Sequence, residues 1–370
     1  MVKSNNHPDF ILLGTLLVLL ILGILILASV SASISQEKFG NTYYFLNHQI
    51  VFGLLPGIIL AFLAYKISLN ILKKVAPVLL LINLVLMAMV FLPEIGSALG
   101  GATRWLNLGP VSFQPSEILK LTFTLYLAAW LSVRTSHQKK IVGVDFSQTL
   151  IAFLFVIGII GVLFYFQSDV STLGIISLTA AVMYFLSGTP LWHSILIILI
   201  GTGGLALLIK LAPYRLNRLL AFIKPELDPM GITYQIKQAL IAIGSGGIFG
   251  LGLGMSRQKF GFLPHPMSDS IFAIFAEETG FIGSLILILL FLIFLWRIVK
   301  IAKKSSDKFA QLACFGIGFW ISLQAFINLG SMMGILPLSG IPLPFISHGG
   351  SHLVVEMIGT GIILNTSKHI

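Results

Sequence analysis

Residues 10–31 read FILLGTLLVLLILGILILASVS, a run without a single charged side chain. A helix needs about 20 apolar residues to cross the hydrocarbon core of a bilayer, so this run predicts a transmembrane helix. The run is longer than the apolar core of a secretory signal peptide, which has about 7–15 residues. We therefore interpret it as a membrane anchor, with cleavage after Val30-Ser31-Ala32 as the weaker alternative.

The rest of the chain is also strongly apolar. Of its 370 residues 56% are hydrophobic and only 10% are charged, and the mean hydropathy is +0.99. Because lipid cannot satisfy unpaired backbone amides, the spans should all be helices, which predicts an all-α polytopic membrane protein. Its weakest boundary is the short break at 167–172. We predict ten transmembrane helices, at 10–31, 47–65, 75–93, 115–133, 148–166, 170–187, 191–210, 269–296, 310–333 and 350–366.

Lysine and arginine in the short loops predict the orientation of the bundle. With both termini in the cytoplasm, the inner segments hold thirteen of these residues, whereas the short outer loops hold only Lys38 and Arg104. This bias is the one seen in membrane proteins with cytoplasmic positive loops. Most of the net charge of +10 is explained in this way and does not indicate nucleic-acid binding.

The chain is predicted to be one domain, 1–370, with one long extracytoplasmic loop at 211–268 between spans 7 and 8. Loops of this length are usually functional, and a cationic loop beside a membrane suits phosphate or anionic headgroups. Residues 214–223 separate basic and apolar side chains at helical spacing, as in a helix that lies on a membrane. The charged residues of the loop include Arg215, Arg218, Lys224, Lys237, Arg257 and Lys259 against Glu226 and Asp228.

Asp269 lies at the mouth of span 8, directly after this loop. An ionisable residue at such a place is a functional candidate by default, although an aspartate before a helix is also a common N-cap. Both interpretations stay open from the residues alone. On a regular helix Glu277 and Glu278 lie about 12–13.5 Å further along and point away from Asp269, so we expect them to form hydrogen bonds between helices.

A second polar group stands at the start of span 4, where Pro115 suits a first helical turn. Glu117 and Lys120 are three residues apart and could form an ion pair. Alternatively, Lys120 binds a phosphate group of a ligand. Arg104 precedes Trp105 at interface depth, where it could bind a headgroup or anchor the loop.

Two loops flank this region. The run 244–254 holds six glycines and is followed by Ser256-Arg257-Gln258-Lys259; such a run lets backbone amides approach an anion or lets helices pack closely. The last outer loop, 334–351, contains three prolines and ends in Ser347-His348-Gly349-Gly350-Ser351. Its rigidity suits a ligand site or simply closes the bundle. His348 and His352 are too few for a metal site, and the lone Cys314 excludes a disulfide framework.

Four blocks, taken in order, resemble the SEDS family (shape, elongation, division and sporulation), which includes FtsW, RodA and SpoVE. The blocks are residues 101–120 with Gln-Pro-Ser-Glu, residues 242–259, residues 269–280, and residues 336–351.

This resemblance implies a peptidoglycan glycosyltransferase that polymerises lipid II at the outer face of the bacterial inner membrane, beside a class B penicillin-binding protein transpeptidase. The essential acid of the family falls on Asp269. Together with the cations of the long loop, the matching blocks give a predicted substrate-binding set of Arg104, Glu117, Lys120, Arg215, Arg257, Gln258, Lys259, Ser347, Gly349 and Gly350.

Some positions depart from the family pattern. Met267-Ser268 replaces the usual His-Thr, Ser168 replaces a proline, and His348 replaces a tyrosine. Residues 107–110 and 224–229 resemble the division branch more than the elongation branch.

The predicted mechanism has Asp269 as the general base, contributing about 10²–10⁴-fold. Cations, with Mg²⁺ or Mn²⁺ as a candidate addition, stabilise a pyrophosphate leaving group. A flippase or transporter of lipid-linked precursor stays open as an alternative, because Asp169, Glu278 and Glu356 lie within or at the ends of spans. A non-enzymatic scaffold is less favoured, since the cytoplasmic loops are short.

Overall fold

A computed structural model describes residues 7–99, 102–107, 109, 112–138, 146–210, 213–224 and 231–370. This part is mostly helical, which confirms the predicted all-α class. The helices are α1 (Phe10–Phe39), α2 (Tyr44–Gln49), a π-helical turn (Ile50–Leu54), α3 (Leu55–Lys66), α4 (Leu69–Met89), α5 (Pro115–Gln138), α6 (Phe146–Gln167), α7 (Val170–Leu186), α8 (Leu191–Lys210), α9 (Pro213–Ile223), α10 (Ile232–Ser245), α11 (Ile271–Lys304), α12 (Lys308–Met332) and α13 (Gly350–Ser367).

Seven of the described helices are long and apolar enough to cross a bilayer by length and composition. Each predicted span lies on a helix, but several bounds are wrong. The predicted span 47–65 is α2, the π-helical turn and α3 in succession. The predicted start at 75 is wrong, because α4 begins at Leu69 and accommodates Lys73 and Lys74 in its second turn.

An antiparallel sheet of order β1-β2-β3 occupies the outer loop before α5, and the sequence did not predict it. Its strands are β1 (Gly96–Leu99), β2 (Ala102–Asn107) and β3 (Ser112–Phe113). Because Arg104 lies on β2, the sheet fixes the position of its backbone, from which the side chain extends.

The uncertain break at 167–172 separates two helices in the structure. Ser168 has φ +54°, which ends α6, and Asp169 caps α7 by accepting hydrogen bonds from the Thr172 amide at 3.3 Å and hydroxyl at 2.9 Å. Capping satisfies a helix amide that would otherwise lack a partner.

Helix α12 is the central element of the bundle. It packs against α5, α7, α10, α11 and α13, and Trp320 and Ile321 on it are almost fully buried. At the periphery, α8 exposes Ile195, Ile198 and Leu199, as expected of side chains that face lipid.

Helix α11 is broken at Gly280, which has φ +68° and ψ −164°. The glycine-rich run fills the break: the amides of Leu251 and Gly252 bond the carbonyls of Glu277 and Glu278, both at 3.0 Å, and the Phe281 amide bonds the Gly247 carbonyl at 2.9 Å. The glycines at this point therefore serve close packing rather than an anion.

We expect Gly280→Ala to destabilise the protein by about 1–3 kcal/mol or more, since a side chain at this φ is strained and overpacking adds to the strain. A Cβ at Gly280 would lie 2.6 Å from the Ile248 carbonyl oxygen and would also meet the Gly250 amide. The measurement is the thermal unfolding midpoint in detergent.

Gly14→Ala is the matched control, because Gly14 lies inside α1 and a Cβ added there would have no neighbouring atom within 4 Å. There alanine should be neutral or slightly stabilising. Equal midpoints for the two variants would contradict the importance of the break.

Candidate functional site

Asp269 lies just before α11 and is 7% exposed. The residue at the N-cap position is Ser270, and its hydroxyl donates to the Pro264 carbonyl at 2.8 Å. In the described structure no backbone amide bonds the Asp269 carboxylate. The helix-cap alternative for Asp269 is therefore wrong, and the side chain is left for another role.

Amide and hydroxyl groups from separate elements hold Asp269 in place. The Gln235 side chain on α10 donates to one carboxylate oxygen at 3.3 Å and to the Ser270 hydroxyl at 2.9 Å. The Ser268 hydroxyl donates to the other carboxylate oxygen at 3.0 Å. From α12, the Asn328 amide donates to the Asp269 backbone carbonyl at 2.8 Å.

Within the part of the chain that the structure describes, no cation compensates the charge of this carboxylate. No side-chain nitrogen of a described lysine, arginine or histidine lies within 4.0 Å of an Asp269 carboxylate oxygen. Two neutral donors leave lone pairs on both carboxylate oxygens. A buried, uncompensated carboxylate at the end of a bundle can take a proton or bind a cation.

The last outer loop fastens the segment that carries Asp269. The Ser347 hydroxyl donates to the Ser268 carbonyl at 2.5 Å, and the His348 amide donates to the Met267 carbonyl at 2.8 Å. On the other side, the Gly349 amide donates to Gln49 at 2.8 Å. These bonds give Ser347 and Gly349 a supporting role; their predicted contact with substrate stays a prediction.

Gly350 owes its identity to close packing, because a Cβ there would lie 2.8 Å from the Phe52 carbonyl oxygen. Next to it in the loop, His348 packs edge-on against Phe45 at 5.4 Å between ring centroids. Burial, together with the nearby His48 and His352, lowers the pKa of His348 to about 4. This imidazole is therefore neutral near pH 7.

Glu117 and Lys120 form the ion pair that their spacing allowed, at 2.8 Å and almost fully buried. The Lys120 ammonium also donates to Gln324 on α12 at 2.6 Å and lies 4.9 Å from the Trp320 ring centroid. With these partners Lys120 stabilises the interior, and no observation places a phosphate beside it.

Lys259 is also engaged inside the protein. Its ammonium lies 3.0 Å from a Glu278 carboxylate oxygen and donates to the Gly254 carbonyl at 2.7 Å and the Ser29 hydroxyl at 3.1 Å. Glu278 in turn accepts from Ser29 on α1 at 2.8 Å, which is the inter-helix bonding expected of it. The geometry favours a structural role for Lys259 over the predicted substrate contact.

Glu277 clamps the same loop onto α11. Its carboxylate accepts the Ser256 hydroxyl, the Arg257 amide at 3.1 Å and the Gln258 amide at 3.4 Å. The Gln258 side-chain oxygen is buried and has no hydrogen-bond partner among the described residues, whereas Arg257 is exposed. Of the predicted pair, Arg257 is the one that a ligand can reach.

The remaining predicted cations have different surroundings. The Arg104 guanidinium donates to the carbonyls of Gln167 at 3.1 Å and Ser168 at 2.5 Å, at the break between α6 and α7. Arg215 lies on α9, but its side chain, like Glu226 and Asp228, lies outside the described residues.

Helix α12 connects the two polar groups of the site. Gln324, which binds Lys120, and Asn328, which binds the Asp269 carbonyl, are one turn apart, about 6 Å along the axis. The sequence did not predict a role for either amide or for Gln235. The signal for the first two was their polarity inside an apolar helix; Gln235 gave no signal.

Comparison with known proteins adds a further line of evidence. The model of the FtsW/RodA/SpoVE family, described as "Cell cycle protein", matches residues 10–370. The chain is 39% identical to "Probable peptidoglycan glycosyltransferase FtsW" of Nitrosococcus halophilus, over 98% of this chain and 92% of that protein. It is 36% identical to "Stage V sporulation protein E" of Bacillus subtilis, over 100% of this chain and 99% of that protein.

Two solved structures are similar over nearly their whole length. One chain, from work described as "Structural coordination of polymerization and crosslinking by a peptidoglycan synthase complex", matches with TM-score 0.75 and 28% identity over 97% of both chains. The rod shape determining protein RodA of Thermus thermophilus matches with TM-score 0.70 and 27% identity, over 97% of this chain and 96% of that chain.

Proposed function

The chain belongs to the FtsW/RodA/SpoVE family, and from this premise we propose that it is a peptidoglycan glycosyltransferase that polymerises lipid II at the outer face of the bacterial inner membrane. The observation that carries the proposal is the Asp269 carboxylate, 7% exposed, whose hydrogen-bond donors among the described residues are the neutral Gln235 and Ser268. The activity named for the FtsW relative supports it.

In the proposed step Asp269 removes the proton from a hydroxyl group of the acceptor sugar. The hydroxyl oxygen bonds the anomeric carbon of the donor, and the bond from that carbon to the polyprenyl pyrophosphate breaks. The leaving group takes the electron pair, so negative charge grows on its phosphate oxygens. We assign the stabilisation of that charge to Arg257, which is exposed, and to Arg104.

A divalent cation, Mg²⁺ or Mn²⁺, is part of the proposal. Mg²⁺ is commonly bound through one or two carboxylates together with substrate phosphates. The single Asp269 carboxylate fits that pattern, since its oxygens keep lone pairs. When bound, such a cation would neutralise charge on the pyrophosphate.

A class B penicillin-binding protein is the proposed partner. The similar chain from a peptidoglycan synthase complex, in which polymerization and crosslinking are coordinated, supports a polymerase beside a crosslinking enzyme.

The transporter alternative is not favoured. A transporter would need ionisable groups that bind its substrate near the middle of the membrane. Each of the three candidate acids has a protein partner instead: Asp169 caps α7, Glu278 pairs with Lys259, and Glu356 accepts the Phe345 amide at 2.8 Å.

The test is polymerisation of lipid II by the purified chain, with and without a class B transpeptidase. We expect glycan strands whose new linkage has the anomeric configuration opposite to that of the donor, because one direct displacement inverts the carbon. A chelator arm measures the need for the cation. Translocation of lipid II across vesicles without any polymer would overturn the proposal.

A further inference from the structure

We propose that the end of the bundle opposite Asp269 holds a binding site for the phosphate group of an anionic membrane lipid. A cavity of about 420 Å³ opens there between the start of α1 and the ends of α11 and α13. Its polar and charged lining includes Asp9, Arg297, Lys300, Lys304 and Ser367.

The cavity is far from the proposed reaction centre. Helix α11 begins two residues after Asp269, and its part after the break at Gly280 runs on to Lys304, which is roughly 36 Å at 1.5 Å per residue. That part alone is long enough to cross the hydrocarbon core of a bilayer, about 30 Å. In the predicted orientation the cavity lies at the cytoplasmic headgroups, so it is independent of the glycosyltransferase proposal.

Arg297 and Asp9 form a rigid wall of the cavity. The Arg297 Nε atom donates to both Asp9 carboxylate oxygens, at 2.8 and 2.7 Å, and an Nη atom lies 2.6 Å from one of them. Asp9 also caps α1 through the Leu12 amide at 3.0 Å, and its own amide donates to the Ser367 hydroxyl at 3.0 Å. The wall therefore ties three helices together.

The charge of Arg297 is neutralised within this wall. Burial on its own would raise the pKa of Asp9, but the hydrogen bonds and charge of Arg297, with the Leu12 amide, hold it below its usual value. Asp9 thus remains ionised near neutral pH. The positive charge available to a ligand comes from the two lysines.

Lys300 and Lys304 are four residues apart on α11, so they project from the same face of the helix. Among the residues that the structure describes, neither ammonium has a carboxylate within 4.0 Å; Lys300 lies 5.2 Å from the Trp296 ring centroid. Asp9 and Arg297 cancel each other, so Lys300 and Lys304 are the basic side chains of the lining that an anion can neutralise.

Apolar side chains next to these charges indicate a lipid rather than a dissolved anion. Phe10 and Ile11, which also line the cavity, are 68% and 47% exposed. They begin the apolar face of α1, along which an acyl chain can lie. Cationic side chains at the headgroups with an apolar wall toward the membrane suit an anionic phospholipid.

The expected effect follows from the usual contribution of a lysine to anionic-lipid binding, about fivefold in affinity each. The double variant Lys300→Gln/Lys304→Gln should therefore bind phosphatidylglycerol about 25-fold more weakly than the unchanged chain. The measurement is a native mass spectrometry titration of the purified chain that follows the first retained lipid, with phosphatidylcholine as the neutral comparison.

The matched control is Lys73→Gln/Lys74→Gln. It removes the same charge at the same predicted membrane face, from α4, and neither lysine lines the cavity. It should change affinity far less. Lys300→Arg/Lys304→Arg keeps the charges and should retain the lipid, which separates loss of charge from misfolding.

Three results would overturn the site. If the control lost as much affinity for phosphatidylglycerol, the lipid would be bound by diffuse surface charge. If phosphatidylcholine were retained equally well, the site would not select an anionic lipid. Displacement of the lipid by inorganic phosphate at the same concentration would mean a site for the free anion. Because Asp269 is remote, Asp269→Asn should bind the lipid as the unchanged chain does.

Discussion

The variant Asp269→Asn is expected to polymerise lipid II about 10²–10⁴-fold more slowly than the unchanged chain, the usual contribution of a positioned general base. Asparagine keeps the shape of the side chain but cannot take the proton from the attacking hydroxyl. The Asn328 bond goes to the backbone carbonyl, at 2.8 Å, so the substitution leaves it in place. The measurement is single-turnover polymerisation, with the unfolding midpoint recorded beside it.

Glu37→Gln is the control for this variant. Glu37 is an exposed acid on α1, at the end of the helix nearer the outer face in the predicted orientation, and its loss should leave the rate unchanged. If Asp269 is the general base, we expect the Asp269→Asn variant to have a lower kcat but to bind lipid II as before. If excess Mg²⁺ restored Asp269→Asn, holding the cation, and not taking the proton, would be the role whose loss slows the reaction. Polymerisation at the unchanged rate would refute both roles.

Asp269 could be identified from the sequence because an ionisable residue at a membrane boundary costs free energy and is therefore rare. The same rule marked Glu117 and Lys120, and their spacing correctly allowed the ion pair at 2.8 Å. It could not separate a helix cap from a base, since both place an aspartate before an apolar helix. That choice depends on one residue of register, and the structure gives the cap position to Ser270.

The partners of Asp269 could not be predicted, because they are neutral and distant in sequence. Gln235 is 34 residues away, on α10, a helix of the long loop that the sequence did not predict. Asn328 lies in a long apolar run, and its partner, the Asp269 carbonyl, is a backbone group 59 residues away. Hydropathy identifies the helix that carries an amide, but it does not identify the carbonyl that the amide reaches.

The role of Lys259 was obscured by another feature, the break at Gly280. A regular helix over 269–296 turns Glu278 away from Asp269 and gives it no partner in the loop. In the structure residues 247–252 pair with the broken backbone, which draws the loop inward and brings Lys259 to Glu278. The positive φ of Gly280 thus leaves backbone groups of α11 to which the loop binds.

We therefore expect Glu278→Gln to destabilise the protein by about 3–5 kcal/mol, the usual effect of removing one partner of a buried ion pair. The side chains of Lys259 and Glu278 are only 5% and 1% exposed. Glutamine keeps a side-chain oxygen but no negative charge, so the buried ammonium is left with neutral partners such as the Gly254 carbonyl and the Ser29 hydroxyl. The measurement is equilibrium unfolding in mild detergent.

The double variant Lys259→Met/Glu278→Gln separates the two roles that Lys259 could have. Removing both charges should restore most of the lost stability, because no unpaired charge remains buried. A structural lysine predicts that this restored protein polymerises lipid II with an unchanged KM. If stability returned but KM stayed high, the Lys259 ammonium would be binding the pyrophosphate. The substrate contact predicted from the sequence would then be right, and the purely structural role indicated by the 3.0 Å ion pair would be wrong.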